Sequence, residues 1–215
     1  MALDTSGTRA SLAWIDPHSN VVLEESSDAS IRVSESIAQS IGRFRDLRPQ
    51  SFQELAGIVV GIGPGSFTGV RVGLATAKGI ATGLGVPLYG ISSLKLLAAS
   101  AGNGSTAVVC DHRLGEAFSG IYEVVDGEIK VIHHDDAART DDELKTILEQ
   151  EKPRHIVGNS SGIFSTTPSE ETVMRSALGI ILCRERLIGG ESDPAGDLVP
   201  NYLRVSEAQR KKLSK

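Results

Sequence analysis

Aromatic side chains are scarce in this sequence, and its nine Phe, Tyr and Trp residues are scattered along the chain. That excludes a continuous platform of rings for stacking unpaired bases. Cysteine is scarcer still. Cys110 and Cys183 lie far apart, each inside an apolar run, and read as reduced, buried thiols of a cytoplasmic protein. An excess of positive charge is also missing. With 22 Lys and Arg against 27 Asp and Glu the net charge is −5, whereas a protein that grips nucleic acid alone needs a basic face. The exception is the tail, where Arg204, Arg210, Lys211, Lys212 and Lys215 are opposed only by Glu207. An RNA substrate would therefore be held mostly by another subunit. No apolar run approaches the ~20 residues of a membrane-spanning helix, and Met1-Ala2-Leu3-Asp4 lacks the opening of a signal peptide.

What is present is a repeated plan. Ala2-Leu3-Asp4, a turn at Thr5-Ser6-Gly7-Thr8, Ser11–Ile15, a turn at Asp16–Asn20 and Val21-Val22-Leu23 read as strand, turn, strand, turn, strand. Val33, Ile37, Ile41, Phe44 and Leu47 recur at steps of four and three, which makes one apolar helix face ended by Pro49. Short buried strands follow at Gly57–Gly61 and Val86–Ile91, then a helix from Ser93 to about Ser100. Gly102-Asn103-Gly104 marks a boundary, dividing the chain into an N-terminal α/β lobe (1–104) and a compact C-terminal one (105–215). The second lobe restarts the plan. Ala107–Cys110 ends in Asp111, Ala117–Tyr122 forms the next strand, and Asp126-Gly127 turns into Glu128–Ile132. Thr140-Asp141-Asp142-Glu143 is a capping-box pattern opening a helix to about Glu151, and Ser169-Glu170-Glu171 starts a last helix that Gly189-Gly190 stops. The readings are an ancient duplication or two unrelated halves that each end a strand in Asp.

Between a strand and a helix lies Gly61-Ile62-Gly63-Pro64-Gly65-Ser66-Phe67-Thr68-Gly69. Phosphate loops occupy such places, because free backbone N–H groups at a helix start attract anions. Neither standard motif is met. Val70 and Arg71 stand where a Walker loop has Lys followed by Ser or Thr, and Gly-x-Gly-x-x-Gly fails at Ser66 from Gly61 and at Thr68 from Gly63. In the helix that follows, Gly69, Gly73, Ala77, Ala81 and Gly85 recur every four residues. Gly73, Gly79 and Gly83 each cost about 1 kcal/mol relative to Ala in a helix, so close approach to another element is expected. That element is either the lobe's own sheet or a partner helix.

These residues resemble the signature of the TsaB (YeaZ) family, and Gly61 to Gly73 matches it almost letter for letter. Leu3-Asp4-Thr5-Ser6, Gly90-Ile91-Ser92-Ser93-Leu94, Asp111-His112-Arg113-Leu114-Gly115-Glu116 and Pro200-Asn201-Tyr202-Leu203-Arg204 extend the likeness along nearly the whole chain. Two departures are a short opening strand and Val33-Ser34-Glu35, where the family often has His before Ser-Glu. The resemblance implies a two-lobed α/β fold of the actin, sugar-kinase and Hsp70 (ASKHA, RNase H-like) superfamily. It implies a non-catalytic dimerisation subunit of the machinery that adds threonylcarbamoyl to the adenosine beside the tRNA anticodon. The implied partners are a second copy, a TsaD-like catalytic paralogue, a TsaE-like ATPase and, through the complex, tRNA. The implied interface comprises Gly65, Ser66, Phe67, Thr68, Gly69, Val70, Arg71, Gly73, Leu74, Ala77 and Ala81.

By the same resemblance, Asp4, Thr5, Ser6 and Asp111 stand where relatives hold a metal–nucleotide complex. Here they are expected to be vestigial turn caps, with ATP or ADP bound only within the complex and no cofactor on the isolated chain. The catalytic paralogues carry a helical His-x-x-x-His metal pair. None of His18, His112, His133, His134 and His155 are four apart, and His133 and His134 are expected on opposite faces of a strand. His112, beside Asp111 and near Glu116, is expected in a turn network rather than in catalysis, and Asp135-Asp136 in a loop. The rival readings are a small phosphotransferase using Asp4, Asp111 and the glycine run, a glycoprotease-like hydrolase, and a general protein-interaction module.

Overall fold

The computed structural model describes residues 1–16, 21–27, 30–164 and 173–204. Strands β1 (Ala2–Asp4), β2 (Ser11–Asp16) and β3 (Val21–Ser26) form an antiparallel meander, to which β4 (Ile58–Gly61) and β5 (Leu88–Ile91) add in parallel, in the order β3-β2-β1-β4-β5. Strands β6 (Gly104–Arg113), β7 (Glu116–Val125), β8 (Glu128–Thr140) and β9 (His155–Val157) repeat the pattern as β8-β7-β6-β9, with one parallel pair, β6–β9, where the first sheet has two. Both sheets are thus an antiparallel meander with parallel additions beside its first strand, the two-lobed plan of the ASKHA architecture.

Side-chain alternation explains the layers, since successive strand residues point to opposite faces. Leu3, Ile58, Val60 and Leu88 face α1 (Val33–Leu47) and α3 (Phe67–Leu84), while Ala2, Val59 and Tyr89 face the other way, toward Cys183. The apolar stripe of α1 buries Ile37 and Phe44 beneath Trp14, but Leu47 stays exposed in the last turn. Pro49 does follow the helix. It also opens α2 (Pro49–Gln53) at a first-turn position, where its missing N–H has no partner to lose. In the second lobe, Leu94, Leu97 and Ala98 of α4 (Ser93–Ser100) pack on Val108, Phe118 and Tyr122, and Leu144 of α5 (Asp141–Glu151) covers the reverse face. Thr140 and Glu143 form the expected capping box at the start of α5.

Four expectations are corrected. Of the helix expected from Ser169, positions 169–172 lie outside the described residues and 173–176 are not helical. The rest is two short helices, α6 (Ala177–Leu182) and α7 (Arg184–Gly189), divided at Cys183 and stopped by Gly190 in the left-handed conformation. These helices return to the first sheet. Ile180, Cys183 and Leu187 cover Ala2, Val59 and Tyr89, while Leu178 meets Leu96 and Ala99 of α4. Residues after Arg175 therefore contribute to the first lobe although they follow the second in sequence. Finally, β8 runs on through Asp135 and Asp136 to Thr140, so those acids lie on a strand rather than in a loop. Its pairing with β7 slips between Ile121 and Tyr122. That bulge upsets strict alternation, and His133 and His134 both reach Glu151, at 3.7 and 3.0 Å. No helix among the described residues is long and apolar enough to cross a membrane.

Candidate functional site

The carboxylate of Asp4 ends β1 fully buried. Its Oδ1 accepts the Ser6 amide and hydroxyl, both at 2.7 Å, and its Oδ2 accepts the Ser93 hydroxyl at 2.5 Å. Burial pushes its pKa up, against the opposing pull of the Ser93 and Ser6 hydrogen bonds. Gly61 is glycine because this carboxylate lies against it: a Cβ there would sit 1.7 Å from Asp4 Oδ2. The rest of the glycine run wraps the same turn. Ser66 N donates to Ser6 O at 2.7 Å, and Gly63 N to the Ser93 hydroxyl at 3.0 Å. Thr5 Oγ1 donates to the Gly69 carbonyl at 2.7 Å. The chain's own Asp4-Thr5-Ser6 turn thus packs directly against the glycine run.

The same turn decides what the small stripe of α3 faces. A Cβ on Gly69 would lie 2.1 Å from the Thr5 carbonyl, and on Gly73 2.1 Å from Thr5 Oγ1. Gly69, Val70, Gly73, Leu74, Ala77 and Ala81 are all buried. The stripe thus packs inside its own lobe, and those six cannot be the exposed interface that the resemblance implied. Of the expected interface residues, Phe67, Thr68 and Arg71 are exposed and Gly65 and Ser66 partly so. The outward face of α3 continues instead through Ala75, Gly79, Thr82 and Gly83, all exposed, with nothing among the described residues within 4 Å of a Cβ at Gly79 or Gly83.

Asp111, the second-lobe counterpart of Asp4, has a different environment. Its backbone is left-handed (φ 52°), its N–H donates to Asn159 Oδ1 at 2.8 Å, and its carboxylate pairs with Arg113 at 2.8 Å and Arg204 at 3.4 Å. His112 pairs through Nε2 with Asp141 at 2.7 Å, and its backbone N–H donates to Ser160 Oγ at 3.0 Å, which is the expected turn network with a partner outside the expected cluster. Between the lobes opens a cavity of about 320 Å³, lined by Ser6, Thr8, Arg9, Ser66, Asp111 and Asn159 among others. Asp4 is walled off from it, and Asp111 is already paired with two guanidinium groups. Among the described residues no three His, Cys, Asp or Glu side chains are placed to hold a metal. A metal–nucleotide complex at either acid would have to displace its present partners. At the cavity wall, burial pushes the pKa of the Cys110 thiol up to about 12.

Sequence reasoning missed three groups. Ser93, read only as a helix start, bridges Asp4 and Gly63. Asp136 accepts the Ser92 hydroxyl at 2.5 Å and the hydroxyl of Tyr122, tying α4 to β7 and β8. Arg204, counted with the basic tail, is instead spent within the fold, while Arg210 to Lys215 lie outside the described residues. The Pro200–Arg204 landmark was the available signal for the last.

The family model described as TsaD, tRNA N6-adenosine threonylcarbamoyltransferase, matches residues 24–180. The tRNA threonylcarbamoyladenosine biosynthesis protein TsaB of Bacillus subtilis (strain 168) is 31% identical over 176 residues, covering 77% of this chain and 76% of that protein. Among solved structures, a Pseudomonas aeruginosa protein with similarity to the peptidase YeaZ superposes with a TM-score of 0.79 at 23% identity, covering 94% of this chain and 98% of that one. YeaZ from Pseudomonas aeruginosa follows with a TM-score of 0.74 at 21% identity and the same coverage. The two structures show a shared fold. With the signature, the family model and the Bacillus relative together, the chain belongs to the TsaB (YeaZ) family.

Proposed function

We propose that this protein is a non-catalytic, cytoplasmic subunit of tRNA threonylcarbamoyladenosine biosynthesis. It presents the outward face of α3 to a TsaD-like catalytic partner and, when alone, to a second copy of itself. A TsaE-like ATPase and tRNA join through that complex, and any ATP or ADP belongs to the assembly rather than to this chain's cleft. The observation that carries the reading is the exposed face Thr68, Ala75, Gly79, Thr82 and Gly83. Among the described residues nothing lies within 4 Å of a Cβ at Gly79 or Gly83, so no close approach there offsets their helix cost of about 1 kcal/mol each. Side chains this small let a second helix approach closely, and Phe67 and Arg71 supply the aromatic and guanidinium groups that anchor interface centres. The confinement of Asp4 and the pairing of Asp111 favour this reading over a phosphotransferase, which needs free acids.

The test is co-expression of the chain with the TsaD-like protein of the same genome, using wild type and an Ala75→Glu/Gly79→Glu variant. Both positions are exposed, so the variant is expected to keep its circular dichroism while losing the heterodimer in sedimentation and lowering modified adenosine in tRNA. A folded variant that binds the partner as wild type does, or a wild type that ignores the partner, overturns the proposal.

A further inference from the structure

The segment from Asp193 to Arg204 touches both lobes and the α3 face in turn. Asp193 is pinned to β5, its N–H donating to Leu88 O at 2.8 Å and its Oδ2 accepting Gly90 N at 2.7 Å. Leu198 packs over Gly90, where a Cβ would lie 2.6 Å from it. The next contacts come one per residue. Asn201 N donates to the carbonyl of Ile62, inside the glycine run, at 2.8 Å. Tyr202 accepts Arg71 Nε at 2.7 Å, and its ring centroid stands 5.5 Å from that of Phe67. The Arg71 guanidinium lies 3.6 Å over the Phe67 ring. Leu203 enters the core of the second lobe. Arg204, its side chain only 12% exposed, donates to the carbonyls of Asp111 and Glu116 and lies 4.3 Å over the Phe118 ring.

This segment has an exposed middle and a buried end. Tyr202 is 51% exposed beside Phe67 and Arg71, whereas two residues later the chain holds the cleft-lining residue Asp111. A group that rests on Tyr202 therefore acts on a residue whose neighbours in both directions are fixed, one to the glycine run and one to the second-lobe core. We propose that Leu198–Arg204 is an inter-lobe strap that couples the α3 partner face to the cleft, so that a protein seated on Phe67, Arg71 and Tyr202 tightens the strap's hold on Asp111. The coupling is reciprocal, as linkage requires: whatever loosens Arg204 from Asp111 weakens the partner's hold to the same degree. The proposal rests on the partner-face reading for its partner, but the strap itself is a property of the isolated chain.

Amide hydrogen exchange separates the two. In the isolated full-length chain, Arg204→Ala removes charged hydrogen bonds at one end. It is expected to speed exchange about tenfold both there, at Asp111 and His112, and at Asn201, where no contact was cut. Faster exchange at Asp111 and His112 alone overturns the strap. Arg204→Lys, which keeps the charge but loses the planar fork, should fall between wild type and Arg204→Ala. It also serves as the reading if the alanine variant does not fold. With the TsaD-like partner added to wild type, Asp111 and His112 are expected to slow. In Tyr202→Ala the partner should still bind through α3, but that slowing should largely vanish. Equal slowing in wild type and Tyr202→Ala overturns the coupling. If the partner does not bind wild type at all, the partner-face reading fails, and the isolated-chain measurement still decides the strap.

Discussion

Helix α3 carries small residues on both of its faces, and the two sets answer to different constraints. On the inner face, Gly69 and Gly73 meet the Thr5 carbonyl and hydroxyl at distances that admit no Cβ. On the outer face, a Cβ at Gly79 or Gly83 would meet nothing within 4 Å among the described residues. The inner glycines are explained by the lobe's own fold; the outer ones have no such explanation among the described residues. The difference shows that a period-four stripe of small residues records only close approach, and that the approaching element must be found for each residue separately.

The largest effect expected from this contrast is on the inner face. In Gly69→Leu the new side chain meets backbone, which cannot rotate away, and the chain should lose about 3 kcal/mol or more of stability. Urea denaturation monitored by circular dichroism checks it, and a Gly69→Leu protein with the wild-type midpoint would dissolve the distinction between the faces. The outer face should respond in the opposite sense. Gly79→Ala and Gly83→Ala add a methyl group where there is room and restrict the unfolded chain. Each should stabilise the monomer, measured at a concentration too low for self-association, by about 1 kcal/mol, read as a higher urea midpoint. If either destabilises the chain, an unrecognised neighbour lies against that face.

The smallest effect concerns the two strand-end acids. Asp4 is enclosed by Ser6, Ser93 and Gly61, while Asp111 sits at the cleft rim between arginines, although the topology around them repeats. Asp4 has a folded-state pKa raised above its ordinary value of 3.8, by burial. The folded state therefore binds this proton more tightly than the unfolded one. The associated stability is fully present below the ordinary value and is lost as the pH rises through the folded-state pKa. Asp4→Asn keeps an acceptor for Ser6 and cannot ionise, so stability measured across acid to neutral pH should lose that downward slope. An unchanged pH profile would place the charge cost of Asp4 elsewhere.

Much of the architecture was legible from residue order. Strand-end Asp, turn and strand recur at Asp4 and Asp111, and the Asp126-Gly127 hairpin and Thr140–Glu143 capping box are local devices that depend on few distant contacts. Less legible were features set by distant residues. His133 and His134 break strict alternation because of a bulge against β7. Asp136 is recruited by Tyr122 and Ser92. The apolar residues around Cys183 look like part of a second-lobe helix until they are seen covering Ala2, Val59 and Tyr89.

The amino-acid order by itself determined the two-lobed plan and the presence of a motif in which backbone must come close to something, because periodicity, turn chemistry and glycine requirement are short-range properties. Tertiary structure alone decided what comes close. Asp4 and Thr5 occupy the glycine run from more than fifty residues away, leaving the opposite face of α3 bare, and Arg204 crosses to Asp111 over 93 residues of sequence. Those pairings depend on how two sheets and their shared helices are stacked, and burial of apolar faces fixes that stacking only when the whole chain is in place.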